Sequence, residues 1–81
     1  MKAIYLKNLK KHLNSMVKGK VKLHIESVDR LVIIISSQGC KDFYYNVDYI
    51  TDTIASGYPS SMLANSVVKC YRKYIFQKYF Y

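Results

Sequence analysis

The chain has 81 residues, 51% of them hydrophobic, and a formal net charge of +8. The hydrophobic content predicts a folded globule rather than a disordered chain, and the length allows one compact domain, residues 1–81. A chain this short is unsuited to a deep pocket built from several distant loops, so binding is a better expectation than elaborate catalysis.

The first predicted element is an amphipathic helix. Its apolar residues recur at helical spacing and therefore share one face. This face contains Leu6, Leu9, Leu13, Met16 and Val17. The opposite face carries Lys7, Lys10, Lys11, Asn14 and Lys18. Gly19 follows at a position suited to a left-handed helix cap.

Period-two patterns then predict an antiparallel meander of three strands. The strands are KVKLHIES (20–27), LVIII (31–35) and KDFYYNV (41–47), with a turn at Asp29 and Arg30. LVIII is apolar at every position, which favours a central strand covered on both faces, or nearly so. The turn before the third strand contains Gly39, which is free to adopt positive φ.

Two helices follow the strands. Asp48 is a good N-cap for a short helix, residues 49–56, that Gly57 ends. Ser60 or Ser61 can cap the last helix. The expected fold is therefore α+β, in the order α-β-β-β-α-α, with a three-stranded antiparallel sheet and helices packed on one face.

The last helix has an apolar arc and a basic outer face. Tyr71 and Tyr74 fall on the apolar arc, so we expect them in the core with their hydroxyls at its rim. Phe76 and Phe80 fall on the opposite arc. The basic residues of that arc are Lys69, Arg72 and Lys73. A phenylalanine pair there fits a homodimer or partner interface, a base-stacking platform, or a helix end that folds back.

Charge is distributed unevenly along the chain. Residues 1–25 hold seven lysines and no acid, residues 26–52 hold all five acids, and residues 53–81 again hold no acid. Two basic ends predict an anionic partner, which can be nucleic acid, an acidic protein surface or anionic lipid. The candidate binding residues are Lys7, Lys10, Lys11, Lys18, Lys69, Arg72, Lys73, Phe76 and Phe80.

The sequence contains no motif for catalysis or metal binding. His12 and His24 have no ligand residue at metal-binding spacing, so we expect no enzyme activity, no metal and no cofactor. Cys40 and Cys70 lie far apart without a CxxC spacing, which predicts two buried or half-buried thiols in a reducing compartment. No signal peptide is visible, and LVIII is far shorter than the roughly 20 residues of a membrane span. We therefore expect a cytoplasmic protein, in the host cell, without membrane contact.

The predicted order of elements, with basic helices, resembles the double-stranded-RNA-binding domain. The likeness is one of topology and covers most of the chain. It implies direct RNA binding through the first helix and the loop between the first two strands. The last helix begins SSMLANS, without a lysine before Lys69, where that family has a lysine cluster. The turn SVDR also lacks the Gly-Pro and His element of the family.

The second half of the chain resembles small early proteins of phages and prophages of Gram-positive bacteria. The similar segments are YYNVDYITDTIASGYP (44–59) and VVKCYRKYIFQKYF (67–80). The resemblance implies a protein that binds and inhibits host machinery, for example an anti-CRISPR inhibitor of a CRISPR-Cas effector. The expected partner is then a host protein or ribonucleoprotein effector. Direct binding of RNA or DNA and a structural homodimer are the alternatives.

Overall fold

The computed structural model describes the backbone of residues 2–80 and the side chains of residues 3–77. The elements are α1 (Lys2–Met16), β1 (Lys20–Ser27), β2 (Arg30–Ser36), β3 (Phe43–Asp48), α2 (Ile50–Ala55) and α3 (Ser60–Phe80). The strands form an antiparallel sheet in the order β1-β2-β3. The predicted α+β class and the predicted order of elements are confirmed.

The two faces of the sheet differ because side chains alternate along each strand. The inner face carries Leu31, Ile33 and Ile35 of β2, which are fully buried in one core with residues of α1 and α3. On the outer face, Val32 is buried beside its cross-strand neighbours and Ile34 is half-buried. β2 is therefore the central strand, as expected, but helices cover only its inner face.

The aromatic residues of α3 anchor the helix to the sheet. Tyr71 is buried, and its hydroxyl shares a hydrogen bond with the hydroxyl of Ser37. The half-buried Tyr74 donates a hydrogen bond to the carbonyl oxygen of Lys41, at 2.7 Å. Both rings contact Phe43, with ring centroids 5.5 and 5.4 Å from it. The predicted core role is confirmed for Tyr71, whereas Tyr74 is half-buried and packs on Phe43 outside the core cluster.

Gly19 has a different role from the predicted one. α1 ends at Met16, and Gly19 lacks the positive φ that Gly39 and Gly57 adopt, so the predicted left-handed cap is wrong. A Cβ atom at Gly19 would lie 2.4 Å from the carbonyl oxygen of Ser36. Glycine is needed here because two backbone segments approach closely.

The two cysteines differ in exposure. Cys40 is half-buried, as expected, but Cys70 is exposed. The buried face of α3 is centred on Val67, Val68 and Tyr71. Cys70 lies beside this face rather than on it, so the prediction of a buried or half-buried thiol is wrong for Cys70.

The start of α2 is capped from another part of the chain. Asp48 ends β3 and accepts a hydrogen bond from Nε of Arg30, at 2.7 Å, so the prediction that it caps α2 is wrong. Tyr49 occupies the N-cap position with a φ of 59° and makes no side-chain cap. The first two N–H groups of α2 donate instead to the carbonyl oxygen and the carboxylate of Asp29, at 3.1 and 2.8 Å.

Candidate binding site

A groove lies between the C-terminal end of α1 and the second half of α3. It encloses about 400 Å³. We term it the α1–α3 groove, and its lining residues are Met16, Val17, Lys18, Tyr71, Arg72, Ile75 and Phe76. Most of this lining is apolar, whereas Lys18 and Arg72 are both exposed and charged. The groove therefore combines an apolar floor with cationic edges.

A second hollow adjoins the groove and shares Met16 and Arg72 with it. The rest of its lining is Asn65, Val68, Lys69 and Lys73. Neither hollow has a carboxylate among the described side chains that line it. Four of the predicted binding residues are thus brought together: Lys18, Lys69, Arg72 and Lys73.

Lys18 reaches this site because α1 ends early. The N–H of Val17 donates to the carbonyl oxygen of Leu13, at 3.0 Å, and the chain then bends toward β1. The prediction that Lys18 belongs to the outer face of the first helix is wrong, since Lys18 lies beyond the helix and lines the groove with Arg72. The other three lysines of the predicted row are exposed on α1 and do not line the groove: Lys7, Lys10 and Lys11.

Phe76 lies at the mouth of the groove and is 59% exposed. It follows Arg72 by four residues on α3, so the two side chains are neighbours on the helix surface. The prediction placed Phe80 beside Phe76. The side chain of Phe80 lies outside the described residues.

The acids do not line the groove, and three of the five have local partners: Glu26, Asp29 and Asp48. Among the described side chains, the ion pairs both involve Arg30, which is 3.7 Å from Glu26 and 2.7 Å from Asp48. The hydrogen bond that Arg30 donates to Asp48, together with the charge of that carboxylate, raises the pKa of the Arg30 guanidinium above its ordinary value. Asp29 is used to cap α2. The cations of the groove and of α1 therefore have no carboxylate partner in the part of the chain whose side chains are described.

Sequence patterns missed the apolar floor of the groove. Helical spacing assigned Met16 and Val17 to the core face of the first helix, and both are half-buried rather than buried, as is Ile75 on α3. Their position at the ends of the apolar stripes is the signal that could have indicated a groove. Its geometry depends on how α1 packs on α3, which helical periodicity does not specify.

No group of three or more His, Cys, Asp and Glu side chains within the described residues is arranged to hold a metal ion. Among the described helices, none combines the length and the hydropathy needed to cross a bilayer. Comparisons of the chain with protein-family models, curated proteins and solved structures find no match.

Proposed function

We propose that this chain is a binding protein that inhibits a host nucleoprotein, and that it docks an acidic, amphipathic segment of the protein component in the α1–α3 groove. The observation that carries this proposal is the apolar floor flanked by Lys18 and Arg72. An amphipathic helix binds such a groove by inserting apolar side chains spaced at three and four residues. Its carboxylates would then meet the two cations.

The chemistry of the groove favours a protein segment over a bare phosphate backbone. Phosphate binding requires cations, but it makes no use of an apolar floor. Met16, Ile75 and Phe76 offer apolar surface at the same place as the positive charge. Aromatic, Met and Arg side chains are also enriched in protein interfaces. Aromatic and Arg residues in particular often carry much of the binding energy of an interface.

The exposed lysines of α1 have a supporting role in this proposal. Lys7, Lys10 and Lys11 lie outside the groove and add to a net charge of +8. A field of this sign accelerates the approach of an acidic partner and weakens as salt is added. Salt should therefore slow association more than it accelerates dissociation.

The class of partner is supported by the resemblance of residues 44–80 to small phage proteins. The resemblance implies a protein that binds and blocks host machinery, and a CRISPR-Cas effector is the specific partner we propose. Mimicry of DNA is not a mechanism open to a chain with a net charge of +8. The inhibitor would instead occupy an acidic surface of the effector protein.

A panel of purified CRISPR effector ribonucleoproteins tests the proposal. DNA cleavage should fall when the protein is added before the target, and light scattering should detect a complex between the protein and the effector. Naked guide RNA and target DNA are the controls, and they should compete weakly. If no effector is inhibited or bound, the inhibitor proposal is wrong.

Direct nucleic-acid binding is the second candidate. It is favoured by the exposed lysines of α1, which have no carboxylate partner within residues 3–77. Duplex RNA, duplex DNA and single strands should be tested at about 50 and 300 mM salt, since binding to phosphates weakens steeply over this range. Charge reversal at Lys7, Lys10 and Lys11 should abolish this binding. Light scattering in the same runs measures the mass of the protein, and twice the 9.5 kDa of one chain would indicate a homodimer.

A further inference from the structure

The outer face of the sheet is the face that the helices leave uncovered. Cross-strand pairing places two rows of side chains on it, which are Lys22–Ile34–Tyr44 and His24–Val32–Asn46. Tyr44 is 61% exposed and His24 is exposed. Two flat rings thus lie on an open sheet surface with apolar side chains between them.

The core does not account for Tyr44. Its neighbours Phe43 and Tyr45 pack against the hydrophobic core, and Tyr44 points to the other face. The exposed side of an antiparallel sheet is normally polar. Here the centre of that side is formed by Val32 and Ile34, and a large aromatic ring flanks it.

Charge divides this face into two halves. Lys20 and Lys22 lie on β1 at the end where Tyr44 also lies, and both are exposed. Glu26 and Asp48 pair with Arg30, and the Glu26–Arg30 pair lines one hollow of this face together with His24 and Tyr44. Just before β3, Lys41 and Asp42 offset each other in charge. Because Arg30 offsets Glu26, the unpaired charges on the half that carries Tyr44 are those of Lys20 and Lys22.

We propose that this outer face binds single-stranded nucleic acid, with a base stacked on Tyr44 and phosphates held by Lys20 and Lys22. Stacking on an aromatic side chain combined with a basic surface is the general means of binding single strands. Lys22 and Tyr44 are separated by one strand, which places their Cα atoms roughly 10 Å apart. A nucleotide together with an extended lysine side chain spans this distance. The site lies on the opposite side of the sheet from the helices, so it is independent of the α1–α3 groove.

The rings favour a single strand over a duplex and over an acidic peptide. A duplex keeps the faces of its bases stacked inside, where Tyr44 cannot contact them. An acidic peptide would use the lysines but offers no extended flat surface to the rings of Tyr44 and His24. The Cα atoms of His24 and Tyr44 lie roughly 12 Å apart on the diagonal, so the ring of His24 can provide a platform for a further base.

Anisotropy of labelled oligo-uridine, oligo-thymidine and a duplex of equal length tests this site in the full chain at about 50 mM salt. The single strands should bind more tightly than the duplex, and the RNA and DNA arms show which sugar is preferred. Tyr44→Ala should raise Kd about tenfold, the effect of losing one stacked base. Tyr44→Phe keeps the ring and should change Kd less than about twofold.

Charge-matched variants separate this site from the general positive field. Lys20→Gln with Lys22→Gln should weaken binding and reduce its salt dependence. Lys7→Gln with Lys10→Gln removes the same charge from α1 and should have a smaller effect, and Phe76→Ala should have none. The proposal is overturned if no single strand binds, if Tyr44→Ala binds like the unchanged protein, or if the α1 pair matters as much as the β1 pair.

Discussion

Asp29 caps α2 from the β1–β2 turn, so replacing it by alanine should destabilise the fold more than replacing Asp48. Asp29→Ala removes the carboxylate that accepts from the N–H of Thr51 at 2.8 Å, and it leaves in place the backbone bond that the N–H of Ile50 donates to the carbonyl oxygen of residue 29. Loss of a side-chain N-cap costs about 1 kcal/mol. Asp48→Ala removes an ion pair whose side chains are 47% and 54% exposed, and such pairs contribute roughly 0.2–1 kcal/mol.

Urea unfolding measures the loss of stability in each variant, and amide hydrogen exchange shows whether the start of α2 has lost its cap. With a urea dependence of about 1 kcal/mol per molar, Asp29→Ala should lower the midpoint by about 1 M. It should also accelerate exchange at Thr51, whereas Asp48→Ala should leave that amide protected. Asp29→Asn retains an acceptor oxygen, so its urea midpoint and its exchange rate at Thr51 should lie between those of Asp29→Ala and the unchanged protein. Faster exchange at Thr51 in Asp48→Ala, with no change in Asp29→Ala, would refute the assignment of Asp29 as the cap.

Three further changes test other parts of the fold. Gly19→Ala should cost about 2 kcal/mol or more in the free energy of unfolding, because its Cβ meets a backbone oxygen that cannot move aside. Tyr49→Gly should raise the free energy of unfolding by about 1 kcal/mol, since it relieves a φ of 59° at an exposed tyrosine. Tyr5→Phe should stabilise by about 1 kcal/mol, because the hydroxyl of Tyr5 is buried without a partner among the described residues. Burial also raises the pKa of Tyr5 and of Tyr45, so the folded state favours the neutral phenols, and stability should fall as the pH rises above about 10. This alkaline loss should be smaller in Tyr5→Phe.

Local patterns were sufficient for the sheet and its helices. The alternation of residues 20–27 predicted both ends of β1 correctly. The spacing of the tyrosines on the last helix predicted that Tyr71 lies in the core, as it does. Asp48 was misassigned because any acid before a short helix satisfies the same local rule. The acid that caps α2 lies about 20 residues earlier in the chain, and no local pattern reports a contact that the folded sheet creates.

For the candidate sites, too, local patterns predicted some residues correctly and missed those that depend on tertiary packing. Helical periodicity correctly predicted that Phe76 lies outside the core, but it assigned Lys18 to α1, which ends at Met16. The groove exists because the bend after Met16 places Lys18 in the same lining as Arg72, and this placement depends on tertiary packing. Tyr44 could have been identified from the alternation of β3, since its neighbours Phe43 and Tyr45 fill the inner face.

The central claim is that the α1–α3 groove holds a protein partner, and photo-crosslinking from position 76 tests it most directly. A photoreactive phenylalanine analogue replaces Phe76, and the protein is expressed in Gram-positive bacteria that carry a CRISPR system. The control carries the same analogue at position 4, because Ile4 is also exposed but lies at the other end of α1. Position 76 should give a discrete protein adduct. Lys18→Glu with Arg72→Glu should abolish the adduct, and the charge-matched pair Lys7→Glu with Lys10→Glu should keep most of it. No protein adduct at position 76, or equal loss in both pairs, would contradict the claim.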